Sequence, residues 1–150
     1  MSQLWPVALV QFQVSPEPQV NRQQVRHWLE QAMTQAGTSS SPKLLMLPEV
    51  WNSPYQAERF AEFAEPIPEL GADLRDGPSD SLKVVADFAV SHRVSVIAGS
   101  IPECSSDGRI FNTATVISPA GCLLAKHRKM HLFDVDIPGG IHFHESDSLT

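Results

Sequence analysis

The chain has 150 residues, 42% of them hydrophobic and 19% charged, a composition that excludes a disordered chain and suits one globular domain with a buried core. Eleven Lys and Arg against 17 Asp and Glu give a formal charge of -6, which repels phosphate backbones and argues against nucleic acid as a partner. No apolar run approaches the roughly 20 residues of a membrane helix, and MSQLWPVALVQFQV has the build of neither a secretory signal nor an organellar leader.

In chain order, residues 4–14 read as a first strand. Val25, Leu29, Ala32, Met33 and Ala36 then recur at helical spacing before Gly37, which predicts a helix over 19–36. A short polar connection over 38–42 leads to the apolar run 43–47, which ends at Pro48 and reads as a buried strand. Residues 52–79, rich in Pro, Gly and acids, form a long connection with a short helix over 56–64, and long ordered connections are often functional. A second amphipathic helix is predicted over 81–92, from Leu82, Val85, Ala86 and Ala89, and a buried strand over 94–98. The pattern then changes to a hairpin, 110–117 and 122–126, joined by SPAG with Pro at the second turn position and Gly at the fourth. The tail HFHESDSLT reads as polar, with no closing element.

Cationic side chains cluster in KHRKMH, residues 126–131. His127 and His131 would share one face of a helix, and His142 and His144 one face of a strand, both possible metal pairs. The first pair lacks the Glu of HExxH and has the fixed charges of Arg128 and Lys129 beside it, so neither a metal nor a cofactor is expected. There is no GxSxG elbow and no Gly-rich phosphate loop. Cys104, read as a loop residue, and Cys122, at the start of a hairpin strand, fit no CxxC pattern and are expected as plain thiols in a reducing compartment. Glu49 follows LLML and a proline, so its carboxylate emerges at the carboxyl end of a buried strand, where open α/β sheets bind ligands. Lys129, three residues after a strand end, can reach the same rim, where each group favours the other's charged form while desolvation opposes both, and pKa values can move far enough for acid and base work. The competing reading of Glu49 is a solvated loop acid or a helix cap.

LLMLPEVWNSPY, GSIPE, GRIFNTATVISPAG and LLAKHRKMHLFDVDIPG together resemble the nitrilase superfamily of carbon-nitrogen hydrolases, in family order and spacing from about Trp5 onward. NSPY and HLFDVDIPG look most like the omega-amidase branch, which hydrolyses the amide of 2-oxoglutaramate and 2-oxosuccinamate to a 2-oxo acid and ammonia. The resemblance implies an α/β fold, a four-layer α-β-β-α sandwich, of which this chain supplies roughly the first half. It also implies a Cys-Glu-Lys mechanism. Glu49 matches the base, Lys129 the lysine that stabilises the oxyanion, Glu145 the second glutamate that positions lysine and substrate, and Tyr55 a residue that orients substrate. A small-molecule amide is the implied partner, with deaminated glutathione a rival to the 2-oxo amides. The location implied is cytoplasmic, an organellar form remaining open.

One departure stands out. The family's nucleophile lies in a GxxxCYD-type motif after the second glutamate, and no such segment occurs in these 150 residues; Cys104 and Cys122 match other positions. Residues 1–150 are thus expected to be a partial domain without the catalytic cysteine, inactive alone. An uncovered apolar sheet face should make it self-associate, whereas the complete family fold implies a homodimer. The alternative is a truncated, non-catalytic pseudoenzyme that binds amides or pairs with a relative.

Overall fold

Leu44, Leu45 and Met46 pair in parallel with neighbours on both sides, and the sheet grows around them. The structure is a computed structural model describing residues 5–35 and 41–150. Its elements are β1 (Val7–Leu9), α1 (Pro18–Gln35), β2 (Leu44–Met46), α2 (Phe60–Phe63), α3 (Asp80–His92), β3 (Ser95–Cys104), β4 (Ile110–Ile117), β5 (Leu123–Arg128), β6 (Asp134–Asp136) and β7 (His142–His144). The sheet order is β1-β2-β3-β4-β5, parallel through β3 and antiparallel beyond it, while β6 and β7 form a separate ribbon. This is the expected mixed α/β architecture, one α layer on one β layer of the four-layer sandwich.

Side chains alternate across the sheet. The register row Ala8, Leu45, Val96, Ile117 and Leu123 faces α1 and α3. There it meets Val25 and Leu29 of α1 and Leu82, Val85, Ala86 and Ala89 of α3 in the main core. The adjacent row, Leu9, Met46, Ile97, Val116 and Ala125, points to the opposite side, away from α1 and α3. On that side Leu9 is 71% exposed, with Val7 also exposed.

Several boundaries differ from the sequence reading, each for a local reason. β1 is far shorter than 4–14, because β2 offers three partners and the ladder is extended only by one bond at each end, Lys43 N–H to Pro6 O and Val10 N–H to Met46 O, both 2.9 Å. Leu4, Ala36 and Gly37 lie outside the described residues. α3 is capped by Ser79, whose Oγ accepts from Leu82 N–H at 3.1 Å, and ends at Arg93 in the left-handed conformation. β3 continues to Cys104 rather than ending at Ala98, because β4 pairs along its whole length, so Cys104 ends a strand instead of lying in a loop. The tail is not open: β7 pairs with β6, Leu149 is buried with Val50, Ala57 and Phe60, and Thr150 N–H donates to Ile110 O. Pro138 and Gly139, φ +73°, form the turn of that ribbon, with Gly140 N–H donating to Ile137 O at 2.8 Å.

The feature that connects this scaffold to function is a bulge in β3. The β3–β4 register shifts between Ile97 and Ser100, where Gly99 adopts φ +58°. The bulge turns Ser100 toward the segment after β2: Ser100 N–H donates to Pro48 O, Ser100 Oγ accepts from Val50 N–H at 3.0 Å, and Trp51 Nε1 donates to Ala98 O at 2.7 Å. Val50, a β-branched residue, is thereby held at φ +47°, a costly conformation that persists only where its surroundings impose it. These bonds fix the turn that carries Glu49. A Cβ at Gly99 would lie 1.9 Å from Pro48 O and 2.8 Å from Leu47 O. Gly99→Ala is therefore expected to cost about 3 kcal/mol or more in urea unfolding. Gly108→Ala, with a similar φ but nothing within 4 Å, should cost only about 1 kcal/mol. Equal midpoint shifts for the two would contradict the close approach.

Candidate active site

Four separate segments bring the predicted residues together. Glu49 sits on the turn after β2, Lys129 immediately follows β5, Glu145 begins a 3-10 turn directly after β7, and Tyr55 lies in the connection after the Glu49 turn. Lys129 Nζ is 2.9 Å from Glu49 Oε1 and 2.9 Å from Glu145 Oε2, so one ammonium joins two carboxylates 96 residues apart in sequence (145 less 49). Tyr55 Oη lies 2.7 Å from Glu145 Oε1 and 3.3 Å from Glu49 Oε1; with one proton to give, it donates over the shorter distance to Glu145. Phe143 stacks on the Tyr55 ring and Phe60 meets it edge-on, which holds the phenol in place.

Glu145 is fully buried, which would be prohibitive for a lone carboxylate. Burial pushes its pKa upward, but the Phe133 N–H at 2.7 Å, then Lys129, then Tyr55 outweigh that, and the net shift is downward: the group is an anion. For Lys129 burial opposes the charge, whereas hydrogen bonds to Glu145 and Glu49 more than restore it, so its pKa rises and the ammonium is permanent at physiological pH. The Tyr55 phenol is pushed up by burial first and by its bond to Glu145 second, and remains a hydrogen-bond donor.

Glu49 and Lys129 line a concavity of about 470 Å³ on the uncovered face of the sheet. Met46, Ile97 and Ala114 form its apolar floor, with Asn112, Ser100 and His127 at the polar positions. Glu145 and Tyr55 stand off this wall: Glu145 reaches the site through its bond to Lys129, and Tyr55 through its bond to Glu145. Neither Cys104 nor Cys122 lines the concavity. The arrangement offers a carboxylate with unused lone pairs, a fixed cation beside it, and an apolar wall.

The strand period divides KHRKMH. Because β5 runs to Arg128, His127 does not lie on a helix and the pairing of His127 with His131 on one helical face does not arise. Lys126 and Arg128 point to one side, where Arg128 makes a two-pronged contact with buried Glu103 at 2.8 and 2.9 Å and lies over the Phe111 ring. His127 and Lys129 point to the other side, into the concavity. Asn112 is a residue that the sequence reading missed. Buried in β4, it donates from Nδ2 to Glu49 Oε1 at 2.7 Å and so orients that carboxylate. The signal was an amide in an otherwise apolar and β-branched strand, whose side chain must find a partner once buried.

The sequence pattern of the carbon-nitrogen hydrolases matches residues 6–150. The chain belongs to the carbon-nitrogen hydrolase family. Omega-amidase NIT3 of Saccharomyces cerevisiae is 38% identical to this carbon-nitrogen hydrolase, across 100% of this chain and 49% of its own length. Human omega-amidase NIT2 is 39% identical, across 96% and 46% respectively. The crystal structure of yeast Nit3, described as a member of branch 10 of the nitrilase superfamily, superposes with a TM-score of 0.78 at 33% identity, covering 96% of this chain and 47% of that one. The chain thus spans about half the length of these relatives. Among the described residues no helix is long and apolar enough to cross a membrane.

The depressed pKa of Glu145 makes the folded carbon-nitrogen hydrolase chain more stable above the ordinary value of 4.5, a contribution lost as pH falls through the depressed value. Glu145→Gln should cost about 1.5–3 kcal/mol near pH 7 and much less near pH 3, read from urea unfolding. A loss of the same size at both pH values would assign Glu145 to packing rather than charge.

Proposed function

We propose that this chain is the base-and-lysine half of an omega-amidase-like carbon-nitrogen hydrolase acting on the amide of 2-oxo dicarboxylic monoamides such as 2-oxoglutaramate and 2-oxosuccinamate. The observation that carries the reading is the Lys129 ammonium, 2.9 Å from both Glu49 and Glu145, at the edge of an apolar concavity. The omega-amidase names of the yeast and human relatives supply the substrate class.

In the proposed mechanism a cysteine thiol attacks the amide carbon while Glu49 takes its proton. Lys129 stabilises the negative charge on the carbonyl oxygen, an electrostatic effect that is strongest where water is excluded. The C–N bond breaks, the proton on Glu49 leaves with ammonia, and a thioester remains. Glu49 then deprotonates a water that hydrolyses the thioester and restores the thiol. Glu145 and Asn112 position Lys129 and Glu49, and Tyr55 helps to orient substrate. The thiol comes from the C-terminal portion of the complete domain, because Cys104 ends β3 and Cys122 precedes β5, both away from the concavity. Residues 1–150 alone therefore do not turn over amide.

The half-buried apolar row on the sheet, with Leu9 exposed at its edge, supports a second element of the proposal, that these 150 residues self-associate through the apolar face. Light scattering after size exclusion should give a species of at least two chains; a monodisperse, cooperatively folding monomer would contradict this.

The catalytic reading is tested by a chimera in which residues 1–150 replace the matching half of yeast NIT3. It is expected to release ammonia from 2-oxoglutaramate, whereas residues 1–150 alone release none. Lys129→Met or Glu49→Gln in the chimera should lower kcat by roughly 10²–10³-fold or more. A folded chimera without amidase activity, or turnover by the 150 residues that survives Cys104→Ala and Cys122→Ala, would overturn it.

A further inference from the structure

The β6–β7 ribbon carries a group of side chains that the amidase reading does not use. Asp136 stands directly opposite His142, and Asp134 opposite His144, so the His142 and His144 imidazoles share one face of β7 with the Asp136 carboxylate between them. His142 Nδ1 contacts Asp136 Oδ1, and His144 Nε2 lies 2.9 Å from Asp136 Oδ2. The two rings are 4.5 Å apart, and one ligand atom from each of the three residues falls within 4.8 Å of the others. Among the described residues Asp136 has no Lys or Arg partner, unlike Asp73, Asp107 and Glu103, which are each held by an arginine. The carboxylate is thus committed to the two imidazoles alone.

From this geometry we infer a divalent transition-metal site formed by His142 Nδ1, His144 Nε2 and Asp136. Two imidazoles and a carboxylate suit zinc and its first-row neighbours rather than calcium or magnesium, which take oxygen ligands. Tetrahedral bonds of about 2.0–2.1 Å set ligand atoms roughly 3.3 Å apart, so small rotations of these side chains close the site. To bind, each imidazole carries its proton on the ring nitrogen turned away from Asp136, so that the lone pair of the nitrogen now facing the carboxylate meets the metal. Asp136 and His142 are exposed, which leaves the remaining coordination positions to water, and the Asp134 carboxylate adds negative charge nearby. The sequence reading found the His142 and His144 pair but not its third ligand, which lies six residues upstream across a Pro-Gly turn.

Zn²⁺ titration of the chain by calorimetry, with Co²⁺ as a spectroscopic substitute, is the test. One equivalent should bind with micromolar or tighter affinity, weakened at least about 10-fold by Asp136→Asn and lost in His142→Ala/His144→Ala. Because the ligands lie on an exposed ribbon, the variants should keep the far-ultraviolet circular dichroism of the parent. Diethyl pyrocarbonate footprinting of the unaltered chain supplies a local readout that needs no variant: Zn²⁺ should protect His142 and His144 and leave His127 and His131 reactive. Parent binding no tighter than that of the double variant, or protection falling on His127 and His131, would overturn the site.

Discussion

The site depends on one electrostatic constraint: Glu145 is a fully buried carboxylate, and Lys129 is the cation that makes its burial tolerable. Removing one partner of such a pair leaves an uncompensated buried charge, which costs far more than the pair itself contributes. The fold therefore has to deliver three segments to the same point. β5 carries Lys129 to the rim, the Pro-Gly turn folds β7 back so that Glu145 meets Phe133 N–H, and the β3 bulge sets the Glu49 turn. A small second core, Val50, Ala57, Phe60 and Leu149, clamps the tail to the Glu49 turn and holds these segments together.

The sheet is asymmetric in a way that explains where the site lies. Two helices cover one side with a closed core, while the other side presents an apolar row across five strands. Glu49, Lys129 and their concavity are on this second side, so any surface packed against it also becomes a wall of the site. A family fold with two sheets face to face uses such a surface as an interior. Excluding water there would strengthen the Lys129 field in the concavity.

Much of this was legible in the sequence because its causes are local. The helical spacing of Val25, Leu29 and Met33, the SPAG turn, and the proline that stops β2 just before Glu49 each act within a few residues. The motif resemblance then brought in Tyr55 and Glu145, whose meeting with Lys129 no spacing rule predicts. What escaped was non-local. The extension of β3 needed knowledge of its partner β4, the bulge at Gly99 depends on the approach of Pro48 O, and the Asn112 bond joins residues 63 positions apart. The β6–β7 ribbon is a different case, since IPGG carries a clear turn signal, but its strands are three residues each and too short to give a pattern.

The central claim is that Lys129 and Glu145 act as one energetic unit. A double-mutant cycle on unfolding free energy, with Lys129→Met, Glu145→Gln and the combined variant, measures that unit directly. The structure predicts a coupling of about 1–3 kcal/mol near pH 7, the double variant being much less destabilised than the sum of the single ones. Additivity within about 0.5 kcal/mol would show that the two groups act independently and would contradict the account.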